Sequence, residues 1–494
     1  MLSELMAGLL MIITDPVIMF WCVLGLILGT IFGALPGLGP VSGIALLLPL
    51  TFFLDQISAI ILLISIYAGA MYGGRISAIL INVPGDAGAI VSTFDGYPMT
   101  KKGQAGYALT LSAVASFVGG MFGFLALVFL TPLLSEVAMM FGPAEYSSLL
   151  LFTILAIGGL TSKKPLKPII AALLGLLLST VGADPLSGKN RFTLGIMSLW
   201  DGIDLAVMAI GVFGLAEVLF RFEDKTLIKN SQKVTLLSLI KDIKYVFKDF
   251  FAMIRGGILG LLSGILPGTG SLAATFMSYT VEKKISKNPE EFGNGASKGL
   301  SGPESANNAS VGGSLIPTIA LGIPGSNTTA VLMGGLMMVG LQPGPLLFEK
   351  SQDVLWPIFA GVFIGNILLL VLNIAFVPLF AKLIQVSQPY LIPLITVLCF
   401  VGAYVIQNRP FDIILLILFG LLGFFMRKSG LPLASFFLAF MLGGMLEENI
   451  RVALSTSIGS FSIFFTRPIS MAFIILTIVV LLVPVLRNIK FTRS

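Results

Sequence analysis

Residues 25–40 read GLILGTIFGALPGLGP, and residues 256–271 read GGILGLLSGILPGTGS. At a constant offset of 231 they agree at nine of sixteen positions, among them Gly29/Gly260, Gly33/Gly264 and a shared P-G-x-G at Pro36–Gly39 and Pro267–Gly270. A second pair follows in the same order. Residues 73–91, GGRISAILINVPGDAGAIV, and residues 312–331, GGSLIPTIALGIPGSNTTAV, share their Gly-Gly and Pro-Gly dipeptides with one residue of slippage. Chance can supply one glycine-rich match in an apolar chain. Two in order, at offsets of 231 to 240, argue for duplication. The chain then divides into two halves, 1–220 and 251–494, joined by a charged linker over 221–250.

The sequence around these stretches places them in a membrane. Of 494 residues, 56% are hydrophobic and 11% charged, where soluble proteins carry about 25% charge. Mean hydropathy is +1.00. The apolar residues fall into charge-free runs at 16–54, 103–135, 256–281, 305–348, 354–381, 383–408 and 468–486, and a spanning helix needs about 20 such residues. This pattern excludes a soluble enzyme and predicts an all-α polytopic membrane protein of about 12 membrane elements, hairpin halves included, in a cell (inner or plasma) membrane. Fifty-five glycines and 26 prolines point to close helix packing and interrupted helices.

Composition narrows the chemistry further. There is no histidine, so imidazole bases, metal ligands and proton relays are excluded. Cys22 and Cys399 lie in apolar runs and read as packing residues, with no disulfide framework or metal cluster. The net charge of +6 does not signal a nucleic-acid partner, because the basic residues sit in short clusters between apolar runs. That is the distribution of cytoplasmic loops. The first 74 residues contain no Lys or Arg, which favours an external N-terminus and no cleaved signal peptide. Clusters at Lys101-Lys102, Lys163-Lys164, the 221–255 stretch, Lys283-Lys284, Arg427-Lys428 and Arg487 to Arg493 are placed inside, leaving the C-terminus cytoplasmic. Spans are expected within 104–132, 144–162, 168–182, 205–220, 354–378, 389–408, 411–426, 431–446 and 465–486. Halves that start on opposite sides make the repeats inverted, as in many secondary transporters.

Each half carries two Pro-Gly breaks in charge-free sequence: Pro36-Gly37 and Pro84-Gly85, then Pro267-Gly268 and Pro324-Gly325. Proline removes a backbone donor and clashes with the preceding turn, and glycine lets the chain end or reverse a helix. In lipid such a break is tolerated only where it is buried in protein or lines a cavity. Paired breaks at corresponding positions are therefore the best pointer to a binding site. The flanking residues suit that role: Gly39 and Ser42; Asn82 and Asp86; Thr269, Gly270 and Ser271; Ser326, Asn327, Thr328 and Thr329. Hydroxyl, amide and carboxylate side chains cap helix N-termini, and an N-terminus suits a substrate carboxylate. Hydroxyls, amides and unwound carbonyls also suit Na⁺. The alternative for each residue is capping alone.

A second polar set opens the 305–348 run: Glu304 precedes it, and Asn307 and Asn308 follow as adjacent amides. Such groups are costly in a membrane unless partnered, so they bind a ligand or bond across helices. Arg75 either pairs with a substrate carboxylate in two-pronged fashion or forms a structural ion pair with Asp86 or Asp95. The ion pair is the favoured expectation.

These residues resemble the large membrane subunit of the tripartite tricarboxylate transporter family, the TctA-like proteins. The resemblance covers nearly the whole chain and rests on GALPGLGP (33–40), YAGAMYGGRISAILINVPGDAGAIVSTFDGYP (67–98), KGQAGYAL (102–109), PESANNASVGGSLIPTIALGIP (303–324) and GLQPGP (340–345). It implies secondary uptake of a carboxylate such as citrate, driven by a cation gradient. It also implies a small four-helix membrane subunit and an extracytoplasmic solute-binding protein. Relatives usually carry a small hydroxyl residue where Arg75 stands, so a charge here bears on substrate preference or is neutralised nearby. No cofactor is expected, and Na⁺ is the coupling ion favoured by the missing histidine.

An intramembrane enzyme would need a nucleophile, base or metal constellation, and no such motif stands in the spans. An ion channel, or a binding-protein-independent carrier of another organic anion, is the alternative. Charged rings and filter-like repeats, which a channel would need, are absent from the sequence.

Overall fold

The computed structural model describes residues 1–35, 38–161, 166–184, 188–223, 246–267, 269–376, 378–379 and 388–491. Three expected site residues, Pro36, Gly37 and Gly268, and most of the 221–250 linker lie outside the described residues. The rest is an all-α fold with one two-residue antiparallel ladder, Gly182↔Arg191 and Ala183↔Asn190. Among the described residues, six helices are long and apolar enough to cross a membrane: Pro16–Ala34, Gln56–Ile81, Ala105–Ala138, Gln352–Ala375, Pro410–Lys428 and Leu433–Thr456.

The chain forms two compact units. The first takes Met1–Ser135 and Arg221–Leu398 and holds all four Pro-Gly breaks. Its helices are α1 (Leu2–Thr14), α2 (Pro16–Ala34), α3 (Gly39–Leu47), α4 (Gln56–Ile81), α5 (Ser92–Lys101), α6 (Ala105–Ala138), α7 (Phe250–Ile265), α8 (Gly270–Ile285), α9 (Ser297–Leu321), α10 (Asn327–Met338) and α11 (Gln352–Ala375). Two of the few carboxylates near the N-terminus start helices. Asp15 accepts from the backbone of Val17 at 2.8 Å and Ile18 at 3.3 Å, with Pro16 at the first helical position, and Asp55 accepts from Ser58 at 3.0 Å. These side chains satisfy backbone donors that a helix start leaves free.

Two helix pairs form the centre of this unit, and their contacts repeat. A β-carbon added at Gly25, Gly29 or Gly33 of α2 would meet the backbone of Leu62, Ile66 or Ala70 of α4. One added at Gly256, Gly260 or Gly264 of α7 would meet Gly302, Ala306 or Ser310 of α9. The reverse contacts correspond as well: Gly73 faces the carbonyl of Thr30, and Gly313 that of Leu261. The glycines recur every fourth residue, so they line one face of each helix. Their missing side chains let two backbones approach closely enough for packing to hold the helices in an apolar medium.

The second unit takes Glu136–Phe220 and Cys399–Ser494. Its main helices are Pro143–Thr161, Leu166–Ser179, Pro410–Lys428, Leu433–Thr456 and Pro468–Phe491, with Leu205–Ala209 and Ala216–Glu223 joined by a wider-wound turn at Ile210–Leu215. The last helix begins at Pro468 after a separate turn at Ile463–Thr466, rather than running unbroken from 465 as the hydropathy suggests. Ion pairs tie this unit together: Arg191–Glu447 at 2.7 Å, Arg451–Asp184 at 3.0 Å, Arg467–Glu145 at 3.4 Å, and Arg427 with Glu217.

Candidate functional site

Each repeated helix pair ends in a break of matching geometry. Leu35 closes α2 with φ −82° and ψ 114°, and Leu266 closes α7 with φ −78° and ψ 117°. Four residues on, Gly39 and Gly270 open the next helices with φ of +54° and +58°, a conformation that favours glycine. The partner helices end alike. Asn82 after α4 has φ 59°, with its N–H on Ser77, and Gly322 after α9 has φ 68°, with its N–H on Pro317. Gly85 then comes against the carbonyl of Gly33, and Gly325 against that of Gly264. In each half, therefore, the Pro-Gly turn of one helix rests on the end of its partner. Pro84 is half-buried; Gly85, Pro324 and Gly325 are buried.

Polar atoms converge at the first turn. Asp86 accepts the N–H of Gly88 at 3.0 Å through Oδ2, while its buried Oδ1 has no partner among the described residues. A β-carbon on Gly88 would meet the side-chain oxygen of Asn307 and, at 2.8 Å, the hydroxyl of Ser271. Asn307 is fully buried, and neither its Oδ1 nor its Nδ2 has a hydrogen-bond partner among the described residues. A buried amide left unpaired costs about 1–3 kcal/mol. Ser271 is the second residue of α8, whose N-terminus has no side-chain cap. This place therefore combines an unpaired amide, a hydroxyl and the free N–H groups of a helix start. Two amide donors and a helix N-terminus suit a carboxylate oxygen.

The other expected residues divide by what already occupies them. Ser326 and Thr329 satisfy each other in a reciprocal cap at the start of α10, with Ser326 N–H on Thr329 Oγ1 at 2.9 Å and Thr329 N–H on Ser326 Oγ at 3.2 Å. Asn327 is exposed; Thr328 is buried beside that cap. Thr269 donates to its own turn at Ser263 and Leu266, and half-buried Pro267 precedes it. Asn308 donates to the Glu304 carbonyl on its own helix at 3.2 Å. Ser42 is buried on α3, and Asn82 is exposed as the helix terminator.

Arg75 pairs with neither Asp86 nor Asp95, contrary to the favoured expectation. It is fully buried and donates to the Tyr72 carbonyl at 3.0 Å, the Leu109 carbonyl at 3.0 Å, the Ser112 hydroxyl and Asn373 Oδ1 at 3.2 Å. It thereby ties α4 to α6 and α11. Asp95 is engaged elsewhere. One of its oxygens accepts the N–H groups of Gly293, Gly295 and Ala296 at 2.9, 2.7 and 2.8 Å.

Three contacts join residues that are distant in the sequence. Gly88 reads as an ordinary turn glycine until Asn307 is seen against it. Tyr67 of α4 shares a hydrogen bond with Ser314 of α9 at 3.0 Å, joining the two repeated pairs. Glu304 is buried with Ser92 and Ser116 on its oxygens. The signal for Glu304 was present in the sequence, as a lone carboxylate one helical turn before Asn307.

A family model described as the tripartite tricarboxylate transporter TctA family matches residues 19–438. The chain is 39% identical over 483 residues to the "Uncharacterized 52.8 kDa protein in TAR-I ttuC' 3'region" of Agrobacterium vitis, covering 97% of this chain and 95% of that one. It is 40% identical over 235 residues to the "Uncharacterized protein in TAR-II ttuC' 3'region" of the same organism, covering 48% of this chain and 97% of that one. No solved structure matches the chain.

Proposed function

We propose that this chain, which belongs to the tripartite tricarboxylate transporter TctA family, is a secondary active transporter that imports a small carboxylate, citrate or a similar organic acid. The observation that carries the reading is the fully buried amide of Asn307, unpaired among the described residues, at the start of α8, which has no side-chain cap, and against Gly88 of the opposite break. The substrate carboxylate takes the Asn307 amide and the Ser271 hydroxyl. Alternating access follows from the two broken helix pairs, read as inverted repeats within about 12 membrane elements, one in 1–220 and one in 251–494, with 221–250 as a cytoplasmic linker. The N-terminus is external and the C-terminus cytoplasmic. Import is coupled to a cation gradient, with Na⁺ as the first ion to test. Family members work in tripartite systems. The partners proposed here are a small four-helix membrane subunit and an extracytoplasmic solute-binding protein.

Uptake of labelled citrate, malate and succinate into proteoliposomes, with and without an inward Na⁺ gradient, tests the reading. The liposomes carry any small subunit that co-purifies, and the binding protein is added outside. Saturable accumulation of one of these acids supports it. Absence of carboxylate flux under any cation gradient contradicts it.

A further inference from the structure

Glu304 lies in α9 and is 1% exposed. One oxygen accepts from Ser92, the first residue of α5 after the break, and the other accepts from Ser116 of α6 at 3.2 Å. The nearby charged groups have other engagements. Arg75 is held by carbonyls, Ser112 and Asn373. Ser112 and Ser116 are one turn apart on α6, so two serines of one helix face hold the cation and the carboxylate separately. On α8, Glu282 is bound by Arg255 at 2.7 and 2.8 Å. Asp95 takes the 293–296 backbone. Asp249, the residue before α7, sits beside Ser297 and Lys298 of the first turn of α9. Asp86 and the Tyr72 hydroxyl complete the set; the hydroxyl donates to Asn366 Oδ1 at 2.9 Å. Among the described residues the hydrogen bonds to the Glu304 carboxylate thus come from hydroxyls alone, and Arg75, close enough to attract it, makes no bond to it. An intramembrane carboxylate without a bonded cation is costly to keep charged.

We infer that Glu304 is a proton-carrying group of the transport cycle, so that a proton enters with the carboxylate in addition to any metal cation. The inference rests on the transport reading above. In the outward-open protein a proton from external water bonds to a Glu304 oxygen. In the inward-open protein the same O–H bond releases it to internal water and restores the carboxylate, with no change of oxidation state. Serine hydroxyls both donate and accept, so Ser92 and Ser116 hold Glu304 in either form. Asn307 follows Glu304 by three residues on α9, which puts the two side chains on one helix face, about 5–6 Å apart at their β-carbons. A negative substrate at Asn307 and a negative Glu304 repel, and protonation of Glu304 removes that repulsion. Proton and carboxylate therefore bind together.

The test uses proteoliposomes with equal Na⁺ on both sides, the membrane potential clamped, a pH dye inside and labelled citrate as probe. Malate or succinate replaces citrate if the uptake panel selects it. Exchange of internal for external label at equal pH reads translocation alone, and its absence in wild type counts against the transport reading rather than this one. With exchange present, wild type is expected to accumulate label under a one-unit inward pH gradient, by up to about tenfold for one proton per turnover, and to acidify the lumen. Glu304→Gln keeps both serine contacts and is expected to exchange within about threefold of wild type while losing pH-driven accumulation. Ser116→Ala is expected to shift the pH at which wild-type accumulation is half-maximal. Wild-type flux that ignores the pH gradient would overturn the inference. So would Glu304→Gln that still accumulates, or Glu304→Gln that loses exchange while Ser116→Ala behaves as wild type.

Discussion

The side-chain oxygen of Asn307 lies against Gly88, in the place a β-carbon on that glycine would fill. The two residues come from opposite halves of the sequence, 219 positions apart, and neither amide atom of Asn307 is paired among the described residues. Gly88 keeps that space open. Gly88→Ala is expected to lower carboxylate uptake at least tenfold. The two nearest obstructing atoms are the ends of the Asn307 and Ser271 side chains, which can turn aside, and the Ser271 β-carbon at 3.0 Å needs to give by only a few tenths of an ångström, so the variant should insert and lose little stability. Uptake and thermal unfolding of the same preparation check both halves of this expectation.

The two amides of the Asn307–Asn308 pair should behave differently. Asn308 donates to the Glu304 carbonyl within its own helix and Asn307 to no described residue. Asn307→Ala is expected to raise the KM for the carboxylate far more than Asn308→Ala. Equal effects in a dose–uptake series would move the contact off Asn307.

The repeated glycine contacts predict matched losses of stability. Gly29→Ala would press a methyl on the Ile66 carbonyl, and Gly260→Ala on that of Ala306. Overpacking of this kind costs about 1–3 kcal/mol. The two variants should lose similar stability in denaturant unfolding, and both should lose more than an alanine at Gly103, where a β-carbon meets nothing within 4 Å, though its positive φ carries its own strain.

Arg75 is expected to act on stability rather than on selectivity. Arg75→Ala strands Asn373 Oδ1 and leaves the Ser112 hydroxyl and the Leu109 carbonyl with only the 2.9 Å bond between them, at about 1–3 kcal/mol for a buried group left unpaired. Arg75→Lys cannot reproduce the planar fork and should recover only part of the loss. Neither should change the order in which carboxylates compete for uptake, and a changed order in a competition assay would return Arg75 to the substrate site.

Much of the fold could be read from residue spacing. Glycines four apart at 25, 29 and 33, and again at 256, 260 and 264, mark the faces where α2 meets α4 and α7 meets α9, because close backbone approach needs small residues at helical intervals. The matching turns at Leu35 and Leu266 follow from the shared P-G-x-G. The site was only partly legible. Which polar residues are already satisfied depends on partners far away in the chain. Ser326 and Thr329, open in the sequence to either ligand binding or capping, complete a cap between themselves. Arg75 looked like half of an ion pair, yet Asp95 is taken up by the 293–296 backbone. Gly88 gains meaning only from Asn307, and nothing local to the 84–91 loop announces that neighbour.

The Asn307 amide is the proposed seat of the substrate carboxylate. The most direct measurement is the rise in unfolding temperature of the purified protein in detergent as citrate, malate or succinate is titrated. A ligand that binds only the folded state at 100 times its Kd adds about 2.7 kcal/mol. One of these acids is expected to give a saturable rise in wild type that is lost in Asn307→Ala at unchanged ligand-free stability. No rise with any of them, or an equal rise in Asn307→Ala, would contradict the account.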